Sequence, residues 1–121
     1  MKRKILIVED NVGLSQIQKD WLSQAGYEAV TAMNEPIARS LIRKTQFDLI
    51  LSDVRLPEGD GISLLEWLRK EKKDIPFIIT TEYVSVPDVV RTIKLGARDY
   101  LPKPVHRDYL LELAEDIFHP V

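Results

Sequence analysis

The chain alternates between short apolar runs and longer segments in which apolar residues recur every three or four positions. Unbroken, mostly branched runs stand at residues 5–8, 49–52 and 77–80, and weaker ones at 28–31 and 99–101. Short runs without polar alternation are typical of strands that are covered on both faces of a parallel sheet. The pattern therefore predicts five strands separated by helices.

The segments between the runs have the spacing of amphipathic helices. Asn34 and Ser85 precede two of them as N-terminal caps, and Gly26 and Gly96 follow two as C-terminal stops. The apolar positions in chain order are Leu14, Ile17, Trp21, Leu22 and Ala25; Ile37, Ala38, Leu41 and Ile42; Ile62, Leu64, Leu65 and Leu68; Val89, Val90 and Ile93; and Tyr109, Leu110, Leu113, Ala114 and Ile117. Regular alternation of strand and helix predicts an α/β fold with helices on both faces, in one domain over residues 1–121.

Acidic residues stand where two of the apolar runs stop. Residues 5–8 end in Glu9 and Asp10, and residues 49–52 end in Asp53. The carboxyl ends of strands in open α/β sheets are where ligands bind, so these acids should converge. Because gathered like charges repel one another, the cluster requires a cation. The sequence predicts a metal-dependent phosphate site.

Composition narrows the classes of partner. The 17 basic and 19 acidic residues leave a formal charge of -2 with no block of like charges, which argues against direct nucleic-acid or membrane binding. The absence of Cys excludes disulfides and thiolate metal sites, and fits a reducing compartment. The basic start, residues 1–4, precedes too short an apolar run for a signal peptide or membrane span, so we expect a cytoplasmic protein.

Several short motifs follow one another in a fixed order. They are Ile-Leu-Ile-Val-Glu-Asp-Asn at 5–11, Asp-Val-Arg-Leu-Pro at 53–57 with Asp60-Gly61 behind it, Thr81 after the fourth strand, and Lys103-Pro104 after the fifth. Together they resemble the receiver domains of two-component response regulators, from Lys4 to about Phe118. Residues 95–104 are most similar to receivers of the nitrogen-regulator class of transcription activators.

The resemblance implies a flavodoxin-like receiver fold, with a parallel sheet in strand order 2-1-3-4-5 and helices on both faces. It also implies phosphorelay signal transduction, in which Asp53 accepts a phosphoryl group from a sensor histidine kinase and becomes an aspartyl phosphate. Such a domain catalyses only its own phosphorylation and dephosphorylation, so it is not expected to be an enzyme with a separate substrate.

The resemblance assigns Mg²⁺ as the cofactor and gives the metal four protein groups. Asp10 and Asp53 would ligate the ion directly together with the backbone carbonyl of Arg55, and Glu9 would act through water. An all-oxygen site of this kind suits a hard, hydrated, octahedral cation. No organic cofactor is expected, because the acidic turn at residues 9–13 would repel the phosphates of a nucleotide or flavin.

The phosphoryl oxygens would be held by Lys103 and by the hydroxyl of Thr81, and the Lys103-Pro104 peptide is expected to be cis. In the family, the phosphoryl group draws Thr81 toward Asp53, and the aromatic side chain at Tyr100 fills the vacated space. Thr81 and Tyr100 would thus couple phosphorylation to the surface of the fourth helix, fifth strand and fifth helix.

That surface is expected to contact an output domain or downstream protein, and to form a homodimer. Charged residues on or near it could form the dimer contact or simply remain solvated; they are Arg91, Lys94, Arg98, Asp99 and Arg107. Any role on DNA would come from a partner or an appended domain. The two imidazoles, His106 and His119, lie near the ends of the last helix and are expected to be neither ligands nor bases.

Two other classes of function are weighed against this one. A metal-dependent phosphatase or nuclease would also use clustered acids, but Arg55 stands where a second acid is expected, two residues after Asp53. A degenerate receiver that acts only as a docking module, without phosphorylation, is the more serious alternative. The complete set of acids, with Thr81 and Lys103, argues against it.

The chain departs from its family directly after Thr81. Receivers usually carry a small residue there, whereas Glu82 and then Tyr83 follow in this sequence. A carboxylate at this point would repel a dianionic phosphodonor, or it would pair with Arg55 across the mouth of the site, or it would simply point to solvent. We favour the first of these, in which Glu82 slows phosphorylation.

Overall fold

The computed structural model describes residues 1–120 and contains five strands and five helices in alternation. The elements are β1 Lys4–Val8, α1 Val12–Gln24, β2 Glu28–Ala32, α2 Glu35–Lys44, β3 Leu49–Asp53, α3 Gly61–Lys70, β4 Phe77–Thr81, α4 Val86–Lys94, β5 Asp99–Pro102 and α5 Arg107–Phe118. Within residues 1–120 no helix has the length and apolar character that crossing a membrane requires.

The strands form one parallel sheet in the order β2-β1-β3-β4-β5. The order reverses after β1, which places the ends of β1 and β3 next to each other at the switch point. The predicted α/β fold, with its strand order, is confirmed. Predicted strand ends agree with the structure to within one residue.

Two hydrophobic cores explain why the central apolar runs are unbroken. Leu6 and Val8 point to the face covered by α2 and α3, whereas Ile5 and Ile7 point to the opposite face, covered by α1 and α5. All four side chains are fully buried. Successive side chains of a strand point to opposite faces, so a strand between two helical layers needs apolar residues at every position.

The helices bury narrower stripes than their apolar spacing predicts. Ile37 of α2, which was expected on the inner face, is 41% exposed, and Ile17, at an apolar position of α1, is 48% exposed. Ser15 and Gln18 take the buried positions of α1 together with Leu22. The orientation in which α1 packs on the sheet, and not the apolar spacing alone, therefore decides which of its residues are buried, and two of them are polar.

Helix α4 shows the largest difference from its apolar pattern. Thr92 is its only buried residue, whereas Val90 is 45% and Ile93 is 65% exposed. The helix lies beside β5, the four-residue strand at the edge of the sheet, which offers little surface to cover. The predicted cap is confirmed, since the Ser85 side chain accepts a hydrogen bond from the Asp88 amide.

One arginine of α3 holds the C-terminal end of α4. Arg69 Nε donates to the Leu95 carbonyl at 2.7 Å, and Nη2 donates to the Gly96 carbonyl at 3.3 Å. Nη1 donates to the carbonyls of Lys73 and Ile75 at 2.9 and 3.2 Å. Carbonyls at a helix end have no partner within the helix, so the guanidinium satisfies them and joins α3, α4 and the entry to β4.

We expect Arg69→Met to lower the free energy of unfolding by about 2 kcal/mol, because hydrogen bonds from a charged group to these carbonyls are lost. Urea denaturation measures the change. Lys70→Met, which removes a charge from the exposed neighbouring position, is the control and should have little effect. Equal losses in both variants would contradict the role of Arg69 as a tie between helices.

Candidate functional site

The residues expected at the site come together at the carboxyl edge of the sheet. Glu9 and Asp10 follow β1, Asp53 is the last residue of β3, Thr81 is the last residue of β4, and Lys103 follows β5. These four strands are neighbours in the sheet, so their ends lie side by side. Each functional side chain is thus placed by the end of a buried strand or by the first residues beyond it.

Three carboxylates form a tight cluster. Glu9, Asp10 and Asp53 each offer an oxygen within 4.8 Å of the others. Glu9 is 4% and Asp53 is 8% exposed, whereas Asp10 is open to solvent. Burial raises the pKa of Glu9, and the charge on Asp53 adds to that rise, against the opposing effects of Lys103 and the Asn11 amide. Oxygen donors at this spacing suit a hard divalent cation.

Lys103 inserts its ammonium between two of the acids. Nζ donates to Glu9 Oε1 at 2.6 Å and to Asp53 Oδ2 at 2.8 Å. Burial by itself would lower the pKa of Lys103, but the hydrogen bonds to Asp53 and Glu9 outweigh it and raise the pKa above its ordinary value. The ammonium therefore stays protonated and partly neutralises the cluster. The Lys103-Pro104 peptide is cis, as expected.

The hydroxyl of Thr81 is engaged by its own loop. Oγ1 donates to the carbonyl of Tyr83 at 2.9 Å and accepts from the Tyr83 amide at 3.1 Å. The side chain is buried at the end of β4. In this conformation the Thr81 hydroxyl bonds to backbone groups of the β4–α4 loop.

Tyr100 lies on β5, beside Ile79 of β4. Its ring packs against the core on the face of the sheet that α2 and α3 cover. Its hydroxyl is buried and has no hydrogen-bond partner within residues 1–120. A buried hydroxyl without a partner is costly, so this conformation of Tyr100 is held by packing of the ring alone.

A cavity of about 200 Å³ opens onto Asp53 and is lined by Asp10, Asp53, Arg55 and Glu82. A water molecule occupies about 30 Å³ in the liquid, so the cavity has room for a phosphoryl group and ordered solvent. Across residues 1–120 no ion pair joins Glu82 to Arg55. The Arg55 guanidinium instead lies over the Tyr83 ring, 5.0 Å from its centroid. The pair between Glu82 and Arg55, which was considered as an alternative, is therefore not formed.

Close backbone packing fixes the end of β3. Ser52 Oγ donates to the Asp53 carbonyl at 2.9 Å, and the Gly61 amide donates to the Val54 carbonyl at 2.8 Å. A Cβ at Gly61 would overlap the Asp53 carbonyl and lie 2.9 Å from Ser52 Oγ. Glycine at position 61 is therefore needed so that α3 can begin directly against β3.

The sequence pattern did not single out Glu35. This residue begins α2 and is 5% exposed, and its carboxylate binds Asp60 on the turn that follows Asp53. The only feature of the sequence that could have indicated its role is the spacing to Arg39, four residues later, with which it pairs. Acid and base four residues apart are common on exposed helix faces, however, so that spacing alone does not reveal burial or a link to the site.

The surface of α4, β5 and α5 carries the charges considered for a dimer contact. Several of them have partners within the chain: Arg91 pairs with Glu66 at 2.8 Å, Asp99 accepts from the Tyr109 hydroxyl at 3.0 Å, and Arg107 pairs with Asp108 at 3.1 Å. His106 and His119 flank α5, and the His106 side chain makes no capping hydrogen bond. Both histidines therefore lie at the ends of α5, where they were expected.

Comparison with known proteins agrees with the geometry. Residues 5–115 match the response regulator receiver domain family. The chain is 39% identical to the transcriptional regulatory protein ZraR of Klebsiella oxytoca over 116 residues, which are 95% of this chain and 26% of that protein. It is 33% identical to the response regulator protein PilR of Pseudomonas aeruginosa over 112 residues, 93% of this chain and 25% of PilR.

Solved structures include the same architecture. A CheY-like response regulator receiver domain protein from Methanospirillum hungatei superimposes with a TM-score of 0.92 at 32% identity, covering 98% of this chain and 95% of that one. The chain belongs to the receiver domain family of two-component response regulators. ZraR and PilR are of the nitrogen-regulator class, so the expected likeness to that class is confirmed. The chain spans about a quarter of the length of these two relatives.

Proposed function

We propose that this chain accepts a phosphoryl group on Asp53 from a sensor histidine kinase and transmits the signal by changing the surface of α4, β5 and α5. One observation carries the proposal. The Asp53 carboxylate is buried at a strand end, bonded by Lys103 and adjacent to two further acids, beside a cavity open to solvent. Membership of the receiver family supports the same role.

In the proposed reaction an Asp53 carboxylate oxygen attacks phosphorus, and the bond from phosphorus to the imidazole nitrogen of the kinase breaks. The imidazole leaves with the bonding electrons, and an aspartyl phosphate remains. Lys103 would bind one phosphoryl oxygen, and Thr81 another once its hydroxyl has left Tyr83. Phosphoryl transfer depends mainly on such positioning and charge neutralisation, and the chain would act only on itself.

The acid cluster fits Mg²⁺, which receiver domains generally bind through acidic residues. Asp10 and Asp53 would be direct ligands with the Arg55 carbonyl, and Glu9 would act through water. The bound ion would neutralise phosphoryl oxygens as charge develops on them. Lys103 bonds only Glu9 and Asp53 of the cluster, so the exposed carboxylate of Asp10 would be free to bind the metal.

We further propose that Thr81 and Tyr100 couple the phosphoryl group to the signalling surface. If Thr81 moves toward Asp53, space opens beside β4 into which the Tyr100 ring can turn, and its hydroxyl can then find a partner. The exposed apolar side chains of α4 would adjoin the changed surface. An output domain, a downstream protein or a second copy would bind there, without direct contact to nucleic acid or membrane. The cytoplasmic location stays a prediction.

A receiver that only docks, without phosphorylation, is the alternative. It would not require a lysine bonded to the acceptor acid, nor an open cavity beside that acid. The complete site therefore favours the phosphorylated regulator.

Asp53→Asn should abolish phosphorylation, because an amide lacks the anionic oxygen that attacks phosphorus. Incubation of the parent with acetyl phosphate and Mg²⁺ should add one phosphoryl group by intact-mass spectrometry. Asp60→Asn is the matched control. The Asp60 side chain caps α3 by accepting a hydrogen bond from the Ser63 amide, Asn can make the same cap, and this variant should still be labelled. Labelling of the Asp53 variant at the parental level would refute the assignment.

Asp10→Asn should weaken Mg²⁺ binding by more than about tenfold, the lower end of the cost of losing even an indirect metal partner. Calorimetric titration with Mg²⁺ measures the affinity. The same change relieves repulsion among the acids, so the metal-free variant should unfold at a temperature no lower than the parent. An unaltered affinity would exclude Asp10 as a ligand.

Glu82→Ala should accelerate phosphorylation by small anionic donors severalfold. Glu82 lines the cavity and has no ion-pair partner in residues 1–120, so its charge acts directly on an approaching dianion. The rate difference should shrink as salt is added. Glu28→Ala, which removes an exposed acid at the amino end of β2, away from the site, is the control. Equal rates for the parent and the Glu82 variant at low salt would mean that Glu82 only faces solvent.

A further inference from the structure

A buried carboxylate from α2 holds the turn that follows Asp53. Glu35 Oε1 accepts a hydrogen bond from the Asp60 amide at 3.0 Å, and Oε2 accepts from Ser63 Oγ at 3.1 Å. The Glu35 amide also donates to the Glu58 carbonyl at 3.1 Å. Glu35 thus binds the last residues of the turn and the first turn of α3 at once.

A half-buried cation of the same helix, Arg39, pairs with this carboxylate. Arg39 Nε donates to Glu35 Oε2 at 2.8 Å, and Nη2 approaches the same oxygen. The Arg39 guanidinium also lies over the Trp67 ring of α3, 5.0 Å from its centroid. A charge is tolerated in a buried position when it is paired and its remaining lone pairs are bonded, and Glu35 meets both conditions.

The turn is shaped to fit against Glu35. Gly59 has φ +81°, and a Cβ there would lie 2.7 Å from Glu35 Cβ and overlap Oε1. Only glycine permits both this backbone conformation and this close approach. The contact between α2 and the turn therefore requires a glycine at position 59 opposite Glu35.

The turn that Glu35 holds is the one that carries the proposed metal ligand. Arg55 and Asp60 face each other in an antiparallel bridge, and the Gly61 amide bonds the Val54 carbonyl at 2.8 Å. Residues 54–60 thus form a closed turn, fastened to β3 at one end and to Glu35 at Asp60. Displacement of Asp60 would move Arg55 through the bridge.

We propose that Glu35 is a positioning residue of the phosphoacceptor site, and that it fixes the turn over residues 54–60 so that the Arg55 carbonyl can ligate Mg²⁺. The inference rests on the proposed function, since it assigns Glu35 to the same metal site. Glu35 acts through the turn and touches neither the acid cluster nor the phosphoryl group.

Glu35→Gln tests the proposal. The variant keeps the size of the side chain but loses the charge that pairs with Arg39, and one of its two polar atoms becomes a donor that cannot accept from Arg39, Ser63 or the Asp60 amide. We expect the Kd for Mg²⁺, measured by calorimetry, to rise by roughly tenfold. Without metal, the Asp60 amide should exchange its hydrogen faster than in the parent.

Asp48→Asn is the matched control for loss of a carboxylate tie. Asp48 Oδ2 accepts from the Lys4 amide at 2.8 Å at the opposite end of the sheet. This variant should lose stability without any change in Mg²⁺ affinity or in exchange at Asp60. The control separates a general loss of stability from displacement of the turn.

A parental Mg²⁺ affinity in Glu35→Gln would overturn the inference, even if Asp60 exchanged faster, because Glu35 would then be structural only. Gly59→Ala is the second variant if Glu35→Gln does not fold, since its added methyl group pushes Glu35 from the turn; it too should bind Mg²⁺ more weakly. Absence of Mg²⁺ binding in the parent would overturn the proposed function as well, which distinguishes the two failures.

Discussion

Repulsion among Glu9, Asp10 and Asp53 is the constraint on which the site depends. Two of the three acids are buried, and the structure holds all three oxygens within 4.8 Å of one another. Lys103 offsets part of that repulsion by bonding Glu9 and Asp53 together. The remaining negative charge favours a divalent cation at this edge of the sheet, which is where we propose that Mg²⁺ and the phosphoryl group bind. The same electrostatic repulsion therefore destabilises the metal-free protein and favours binding of a cation.

The sheet supplies the rigidity that such a cluster needs. Its central strands are buried on both faces, so Asp53 cannot retreat from its neighbours without disturbing two cores. The loops beyond the strand ends supply the adjustable parts, which are the Thr81 hydroxyl bonded within the β4–α4 loop and the Arg55 guanidinium over Tyr83. The turn held by Glu35 stays fixed. Rigid placement of Asp53 and adjustable placement of its surroundings suit the proposed function, in which one residue accepts a phosphoryl group and its neighbours change conformation.

The apolar runs were sufficient to predict the strands and the convergence of the acids at their ends, because these are local signals. The strand order and the meeting of Asp53 with Lys103 were predicted from the resemblance to receiver domains, not from the local pattern. The local pattern was insufficient for features that depend on packing direction. Ile93 has the spacing of a buried residue, yet it faces outward because β5 offers α4 little to cover. Glu35 is an acidic residue at the start of a helix, a position that is usually exposed, yet the close approach of Gly59 buries it. Neither contact is encoded in the local pattern of either segment.

The hydrogen bonds of Thr81 also affect how often the unphosphorylated domain adopts the proposed switched conformation. Its hydroxyl is retained by two hydrogen bonds to Tyr83, whose combined net worth is about 1 to 3 kcal/mol. If release of Thr81 is the main cost of the proposed switch, a minor population on the order of 0.5 to 15 per cent adopts the switched surface without phosphate. The level of signalling without phosphate would then depend on the β4–α4 loop. A substitution there that strengthened or weakened the bonds to Thr81 would change that level without changing the response of the fully phosphorylated domain.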